Sequence, residues 1–211
     1  MNLGFSLGKA FPVQSESEPL TQDLLEWALP VLVHRINNQT QWITGYRALL
    51  GLTGAEELLE SKSPELARTG SELTHIGWLL AVLASARGGN LLLSRREPEG
   101  LRWIVGLVEE GLRRNKAGSF TGPATLPLLQ PGALDGWQVP VALGRLLWTA
   151  AHHSGGGTWN LERTGEGWSL EVPWPAGESI PGFLHDWLPD ARIESASPLR
   201  LTLPADWLLA P

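Results

Sequence analysis

The chain has 211 residues, of which 43% are hydrophobic and 18% charged, a composition typical of one large or two small globular domains rather than of a disordered chain. The formal net charge of −6 argues against non-specific nucleic-acid binding and gives no support to binding an anionic membrane surface. Cysteine is absent, so disulfides, thiolate metal sites and a cysteine nucleophile are excluded.

Residues 1–18 are predicted to be a flexible leader. They end in a polar Ser-Glu-Ser-Glu stretch, and they lack the basic start and the apolar run of a signal peptide. Farther along the chain, polar residues interrupt every apolar segment before it reaches the length of a membrane span. The sequence therefore predicts a cytoplasmic protein.

Residues 19–88 are predicted to form a helical hairpin. The first helix is expected from Leu20 to Leu50 and the second from Leu66 to Arg87, after a loop through Ser61–Pro64. Their apolar stripes need a partner, so the pattern predicts an antiparallel hairpin that pairs with a second copy in a dimeric four-helix bundle. The stripes comprise Leu25, Leu29, Leu32, Ile36, Gln39, Ile43, Tyr46 and Leu50 on the first helix, and Leu73, Ile76, Leu80 and Leu83 on the second.

Residues 89–211 are predicted to form an α/β sandwich, which makes the whole chain an α+β protein. Apolar periodicity and turn residues mark alternating helices and strands in this part. The predicted strands are 90–94, 158–163, 168–173 and 199–203, and the predicted helices begin near residue 98, run from 139 to 152 and lie near 182–188. Its tryptophans are predicted to be core residues, namely Trp148, Trp159, Trp168, Trp174 and Trp187.

His34 is the candidate for chemistry. The heptad places it at the f position, on the outward side of the first helix, with Asn38 one turn farther along the same side. The run from His34 to Gln39 (His-Arg-Ile-Asn-Asn-Gln), on the first helix of a hairpin before an α/β domain, resembles the phosphoacceptor region of sensor histidine kinases. That family has His-Glu-x-x-Asn/Thr-Pro, so Arg35 replaces the acid and Gln39 replaces the proline.

A second stretch, from Leu143 to Ser154, resembles the N-box helix of the histidine kinase ATP-binding domain. Arg145 and Thr149 stand at the two positions where that family has asparagine, and the second asparagine normally helps to hold Mg²⁺ on the nucleotide. Residues 172–178 lack the aspartate of the adenine-binding box, and no glycine-rich lid box follows. The resemblance therefore implies a degenerate kinase of the bacterial histidine phosphotransferase type, which does not use ATP.

This resemblance implies a phosphorelay role in two-component signalling. His34 would be the phosphoacceptor, exchanging a phosphoryl group with the aspartate of a response-regulator receiver domain. Arg35 would counter the phosphoryl charge or contact the acidic rim of the receiver. Asn38 matches a position linked to dephosphorylation of partner regulators, and it is equally well read as a solvated polar residue. The expected partners are a second copy and the receiver domain, with a sensor kinase as a further candidate. No cofactor or metal is expected except Mg²⁺ on the receiver.

Two other functions stay open from the sequence. One is a non-catalytic pseudokinase scaffold that binds a response regulator or a sensor kinase while His34 is idle. The other is an ATP-dependent kinase with unrecognised nucleotide boxes. Among the remaining histidines, His75 is predicted to pack or cap, and His152 and His153 lie at a helix C-terminus, where the helix dipole favours a cationic side chain.

Overall fold

The computed structural model describes residues 18–50, 55–86, 97–130 and 138–210. The predicted leader, apart from Glu18, and the strand expected over 90–94 fall outside the described residues. The described helices are α1 (Glu18–Leu49), α2 (Ala55–Ala86), α3 (Gly100–Asn115), α4 (Gln138–Ser154) and α5 (Phe183–Trp187). The described strands are β1 (Ser119–Thr121), β2 (Leu128–Leu129), β3 (Gly156–Thr158), β4 (Asn160–Arg163), β5 (Trp168–Val172), β6 (Arg192–Ala196), β7 (Leu199–Leu203) and β8 (Leu208–Leu209). The α+β fold class predicted from the sequence is confirmed.

The helices α1 and α2 pack against each other along the chain's N-terminal part. A short connection over 50–54 joins them, so the two packed helices run antiparallel as a hairpin. The loop predicted through Ser61–Pro64 is wrong, because α2 begins at Ala55 and continues through Pro64. Strong helix formers precede that proline, acidic Glu56 and Glu57 lie in the positive first turn, and Lys62 pairs with Glu65 along the helix.

The predicted heptad seam of α1 divides into two rows. Leu32 and Tyr46 of one row are buried against the rest of the chain. Leu29 and Ile43 of the other row are exposed, with 43% and 48% of each residue accessible to solvent, although Ile36 between them is partly buried on the core. On α2 the same division separates buried Ile76 from exposed Leu73 and Leu80. The exposed apolar residues of this face are Leu29, Val33 and Ile43 on α1, Leu50 at its C-terminal end, and Leu66, Leu73 and Leu80 on α2.

The second part of the chain is built on an antiparallel four-stranded sheet with the order β4-β5-β7-β6. Alternate residues of β5 and β7 are buried, as expected for strands with one face on a core. The helices α3, α4 and α5 line that face. The opposite face is polar, and there the hydrogen bond from Arg200 to Glu171 raises the pKa of the arginine.

Two small pairings complete the described fold: β1 runs parallel to β3, and β2 runs antiparallel to β8. The sequence does not predict the strands β1, β2, β6 and β8. The five tryptophans predicted to be core residues are all buried. Among the described helices, none has both the length and the apolar composition that a membrane span requires.

One continuous hydrophobic core joins the hairpin to the second part of the chain. Leu32 of α1 and Leu79 of α2 are fully buried in the same cluster as Ile104 of α3 and Leu147 of α4. The helix α1 packs extensively on α3 as well as on α2. The position of His34 is therefore set by three helices together.

Candidate functional site

His34 lies half-buried on α1, and Asn38 follows one turn later on the same side, as the helical periodicity predicts. The Nδ2 atom of Asn38 lies 3.0 Å from Nε2 of His34. With the amide placed this way round, Nδ2 donates and Nε2 accepts the hydrogen bond in the ring tautomer that carries its proton on Nδ1. A ring nitrogen with a lone pair is the form of histidine that acts as a nucleophile.

Arg35 points to a different side of α1. Its Nε donates a hydrogen bond of 2.9 Å to Oε2 of Glu110 on α3, and its Nη1 lies 3.5 Å from Oε1 of Glu72 on α2. Only 21% of its side chain is exposed. The guanidinium thus joins three helices, whereas its suggested role toward a phosphoryl group or a receiver domain stays a prediction.

The two acids beside Arg35 have further partners. Glu110 also accepts a hydrogen bond of 3.2 Å from Arg114, one turn along α3. The carboxylate of Glu72 lies 3.9 Å from Nδ1 of His75, and the His75 ring lies 4.0 Å from the ring of Trp103 on α3. The packing role predicted for His75 agrees with this contact. Sequence reasoning missed Glu72 and Glu110, since each reads locally as an ordinary charged residue on a helix surface.

A groove of about 530 Å³ begins at Asn38 and follows α1 toward its C-terminal end. Its wall includes the ring of Tyr46, whose residue is only 6% exposed and whose hydroxyl has no hydrogen-bond partner among the described residues. Lys62 of α2 also lines it and donates a hydrogen bond of 3.2 Å to Glu65. Hydrogen bonding from the backbone, and then from Lys62, lowers the pKa of the Glu65 carboxyl. The remaining lining residues are Gln39, Gln41, Trp42, Gly45 and Leu49.

The N-box-like helix α4 uses its altered positions for packing. The guanidinium carbon of Arg145 lies 4.3 Å from the ring centre of Phe183 and 5.6 Å from that of Trp187, both on α5. Cations in this position over an aromatic face are attracted by the ring quadrupole. Thr149, one turn later, is half-buried. Arg145 therefore packs α4 against α5.

The glycines after α4 allow backbone conformations and close contacts that other residues would hinder. Gly155 has a φ of +75°, which is typical of a residue that ends a helix. A Cβ on Gly156 would lie 2.2 Å from the carbonyl oxygen of Ser119, because β3 pairs closely with β1 there. These residues support a strand pairing rather than a phosphate cradle.

The histidines at the end of α4 are also packed. Nδ1 of His152 lies 2.9 Å from the carbonyl oxygen of Trp148. The ring of His153 stacks on Trp174 at 5.6 Å, and its Nδ1 lies 3.7 Å from Glu178. Within residues 18–50, 55–86, 97–130 and 138–210, no three histidine or acidic side chains are grouped closely enough to hold a metal ion.

Comparison with known proteins adds no relative to these observations. No protein-family model matches the chain, and no curated protein is significantly similar to it. Three features of the structure bear on function. They are the pair of His34 and Asn38, the groove beside that pair, and the exposed apolar face of the hairpin.

Proposed function

We propose that this chain is a dimeric histidine phosphotransferase that passes a phosphoryl group between His34 and the aspartate of a response-regulator receiver domain without using ATP. The observation that carries this proposal is the 3.0 Å contact between Nδ2 of Asn38 and Nε2 of the half-buried His34, because the tautomer that accepts this hydrogen bond has the Nε2 lone pair that a nucleophile needs. The resemblance of the His34 region to the phosphoacceptor helix of histidine kinases supports the same chemistry.

The transfer is an in-line displacement at phosphorus. The lone pair of Nε2 forms the new P–N bond while the bond from phosphorus to the aspartyl oxygen breaks, and the electrons of that bond stay on the carboxylate. Asn38 gives up its contact with Nε2 as the phosphoryl group arrives. The Nδ1 proton stays on the ring during the attack and is lost to solvent afterwards. The receiver domain brings its own Mg²⁺, which neutralises charge on the phosphoryl oxygens.

The packing of α4 supports a source of phosphate other than ATP. Arg145 and Thr149 replace the two asparagines of the N-box, and the Arg145 guanidinium is stacked on Phe183. A nucleotide on this side of α4 would have to displace the contact between α4 and α5. A receiver domain as phosphoryl donor requires no such rearrangement.

The exposed apolar face supports the dimer. Leu29, Ile43 and Leu50 share one row on α1, and Leu66, Leu73 and Leu80 recur every seven residues on α2. A seven-residue apolar repeat is typical of helices that pack side by side in a bundle. Exposed contiguous apolar patches mark interaction sites. A second hairpin placed on this face would complete a four-helix bundle and leave His34 on its outside.

The groove that begins at Asn38 supports docking of the receiver domain. It adjoins the proposed phosphoacceptor, and the polar side chains of Gln39, Gln41 and Lys62 line it together with Trp42. Such a combination of polar and aromatic side chains is suited to contact with a protein partner. A sensor kinase could use the same groove as an upstream donor.

The test is phosphorylation of the chain by receiver domains that carry ³²P on their aspartate. The expected label is acid-labile and base-stable, it appears on the wild-type chain, and it is lost in His34→Ala. The matched control His75→Ala keeps the label, because that ring is packed on Trp103. Label that persists in His34→Ala contradicts the proposal.

A non-catalytic scaffold is the second candidate, and the same hydrogen bond favours it in a different way. Asn38 occupies the Nε2 lone pair of His34, as it would in a histidine that has lost its role. A scaffold would bind the response regulator or sensor kinase through the groove and signal normally in His34→Ala. Loss of signalling together with retained regulator binding in that variant separates the phosphotransferase from the scaffold.

A further inference from the structure

We infer that Arg35 is a positioning residue, which directs the His34 ring by binding α1 to α2 and α3, and that it does not bind the phosphoryl group. The inference rests on the proposed function only in so far as His34 is the reactive residue. It changes the role that the sequence suggested for Arg35, since a residue next to a phosphoacceptor was expected to meet phosphate or the partner directly.

The burial and charges of the Arg35 contacts carry the first step. Arg35 is paired with Glu110 at 2.9 Å and approaches Glu72 at 3.5 Å, and the side chains of these acids are 15% and 29% exposed. Partly buried ion pairs that satisfy one another are costly to break, because removal of one partner leaves the others poorly solvated. Arg35 cannot turn to a phosphoryl group without leaving this arrangement.

The direction of the side chains carries the second step. Consecutive residues of an α-helix are rotated by about 100°, so Arg35 and His34 leave α1 on different sides. The carboxylates of Glu110 and Glu72 hold one side of the helix, and this determines how far α1 is rotated about its own axis. The His34 ring follows that rotation, together with its partner Asn38.

A second contact reinforces the same arrangement. Glu72, which meets Arg35, also lies near His75, whose ring packs on Trp103 of α3. Trp103 in turn meets Trp78 of α2 edge to face at 5.2 Å. The contacts of Arg35 therefore belong to a set that joins α1, α2 and α3 at the level of His34.

The variant Glu110→Gln distinguishes the two roles of Arg35, because each role predicts a different effect of this variant on the rate of phosphoryl transfer. If Arg35 bound the phosphoryl group, Glu110 would compete for its guanidinium, and Glu110→Gln would leave the transfer rate unchanged or raise it. If Arg35 acts by positioning, Glu110→Gln removes the same support as Arg35→Met. Both single variants and the double variant then impair transfer to a similar extent.

The experiment compares Arg35→Met, Glu110→Gln and the double variant with the matched controls Arg113→Met and Glu109→Gln, which are exposed positions of α3. The first readout is the NMR signal of the His34 ring in histidine-labelled protein, assigned with His34→Ala. We expect this signal to shift in Arg35→Met and in Glu110→Gln, to shift no farther in the double variant, and to stay in place in both controls. An unmoved signal in Arg35→Met or Glu110→Gln overturns the inference.

The second readout is transfer from the phosphorylated receiver. We expect kcat to fall about ten- to a hundredfold in Arg35→Met and in Glu110→Gln, because a small misplacement of the His34 ring slows the reaction by this order. The double variant should show no further loss. Transfer at the wild-type rate or faster in Glu110→Gln overturns the inference. If the wild-type chain takes no label, the proposed function fails, whereas the positioning role is still decided by the His34 signal.

Discussion

Nδ2 of Asn38 lies 3.0 Å from Nε2 of His34 across one turn of α1, a contact that suits the ring tautomer with its proton on Nδ1. An amide can donate to a ring nitrogen without a proton, whereas a carboxylate at the same place requires a ring nitrogen that carries one. We therefore expect the chemical identity of residue 38 to affect the reactivity of His34.

Replacing Asn38 by aspartate should reduce the reactivity of His34. The carboxylate accepts a hydrogen bond from Nε2–H, favours the charged ring and repels an incoming phosphoryl group, so we expect phosphorylation by phosphoramidate to slow about tenfold or more. Asn38→Ala frees the lone pair and should keep at least the wild-type rate with this small donor. The measurement is mass-spectrometric detection of phosphohistidine over time, and an aspartate variant that reacts as fast as wild type would contradict the argument.

Restoring asparagine at position 145 should not restore nucleotide binding. Arg145→Asn removes the guanidinium from Phe183 and Trp187, and we expect a loss of about 0.5–2 kcal/mol in the free energy of unfolding. Thermal unfolding with and without Mg²⁺-ATP checks both points. The nucleotide should not change the melting temperature of the wild type or of the variant. A rise of several degrees would instead support the function of an ATP-dependent kinase.

Charging the exposed face of the hairpin should dissociate the proposed dimer without unfolding the chain. Ile43→Glu and Leu73→Glu each place a carboxylate in an apolar face that is accessible in the single chain. Light scattering should report a monomer with unchanged circular dichroism, whereas Ala67→Glu, an exposed position next to Leu66, should stay dimeric. A wild-type chain that is monomeric at high concentration would refute the four-helix bundle.

Substitution by alanine should change the free energy of unfolding in opposite directions at two glycines. A Cβ on Gly122 would lie 2.5 Å from Nε1 of the buried Trp159, so Gly122→Ala should lower the free energy of unfolding by about 1–3 kcal/mol. Gly106 lies inside α3 with open space around its Cβ position, so Gly106→Ala should raise that free energy by about 0.5–1 kcal/mol. Urea unfolding of both variants measures the change in the free energy of unfolding. A lower free energy of unfolding for Gly106→Ala would contradict this prediction.

Periodicity is a sufficient guide to α1 and α3. The apolar steps of α1 and the amphipathic pattern of α3 are local, so their residues can be assigned without knowledge of the packing. The sequence misplaces the start of α2, because Ser-Lys-Ser-Pro is typical of a loop, although a proline can be accommodated in a helix whose neighbours favour it strongly. Short strands such as β1 and β8 carry too few residues for an alternating pattern to appear.

The candidate site was predictable along one helix and not across helices. His34 and Asn38 are four residues apart, so their proximity follows from the helical repeat alone. The meeting of Arg35 with Glu110 depends on how α3 crosses α1, which no local pattern encodes. For the same reason the sequence showed an apolar seam on α1 without showing which half of it is covered.

Leu32, Leu79 and Ile104 belong to three different helices and lie in one core. A hairpin expressed without the residues after 96 would expose the apolar side chains that α3 and α4 now cover, so we expect it to aggregate rather than fold. The two parts of the chain therefore differ in architecture but share one core, so a substitution in that core should destabilise both of them together.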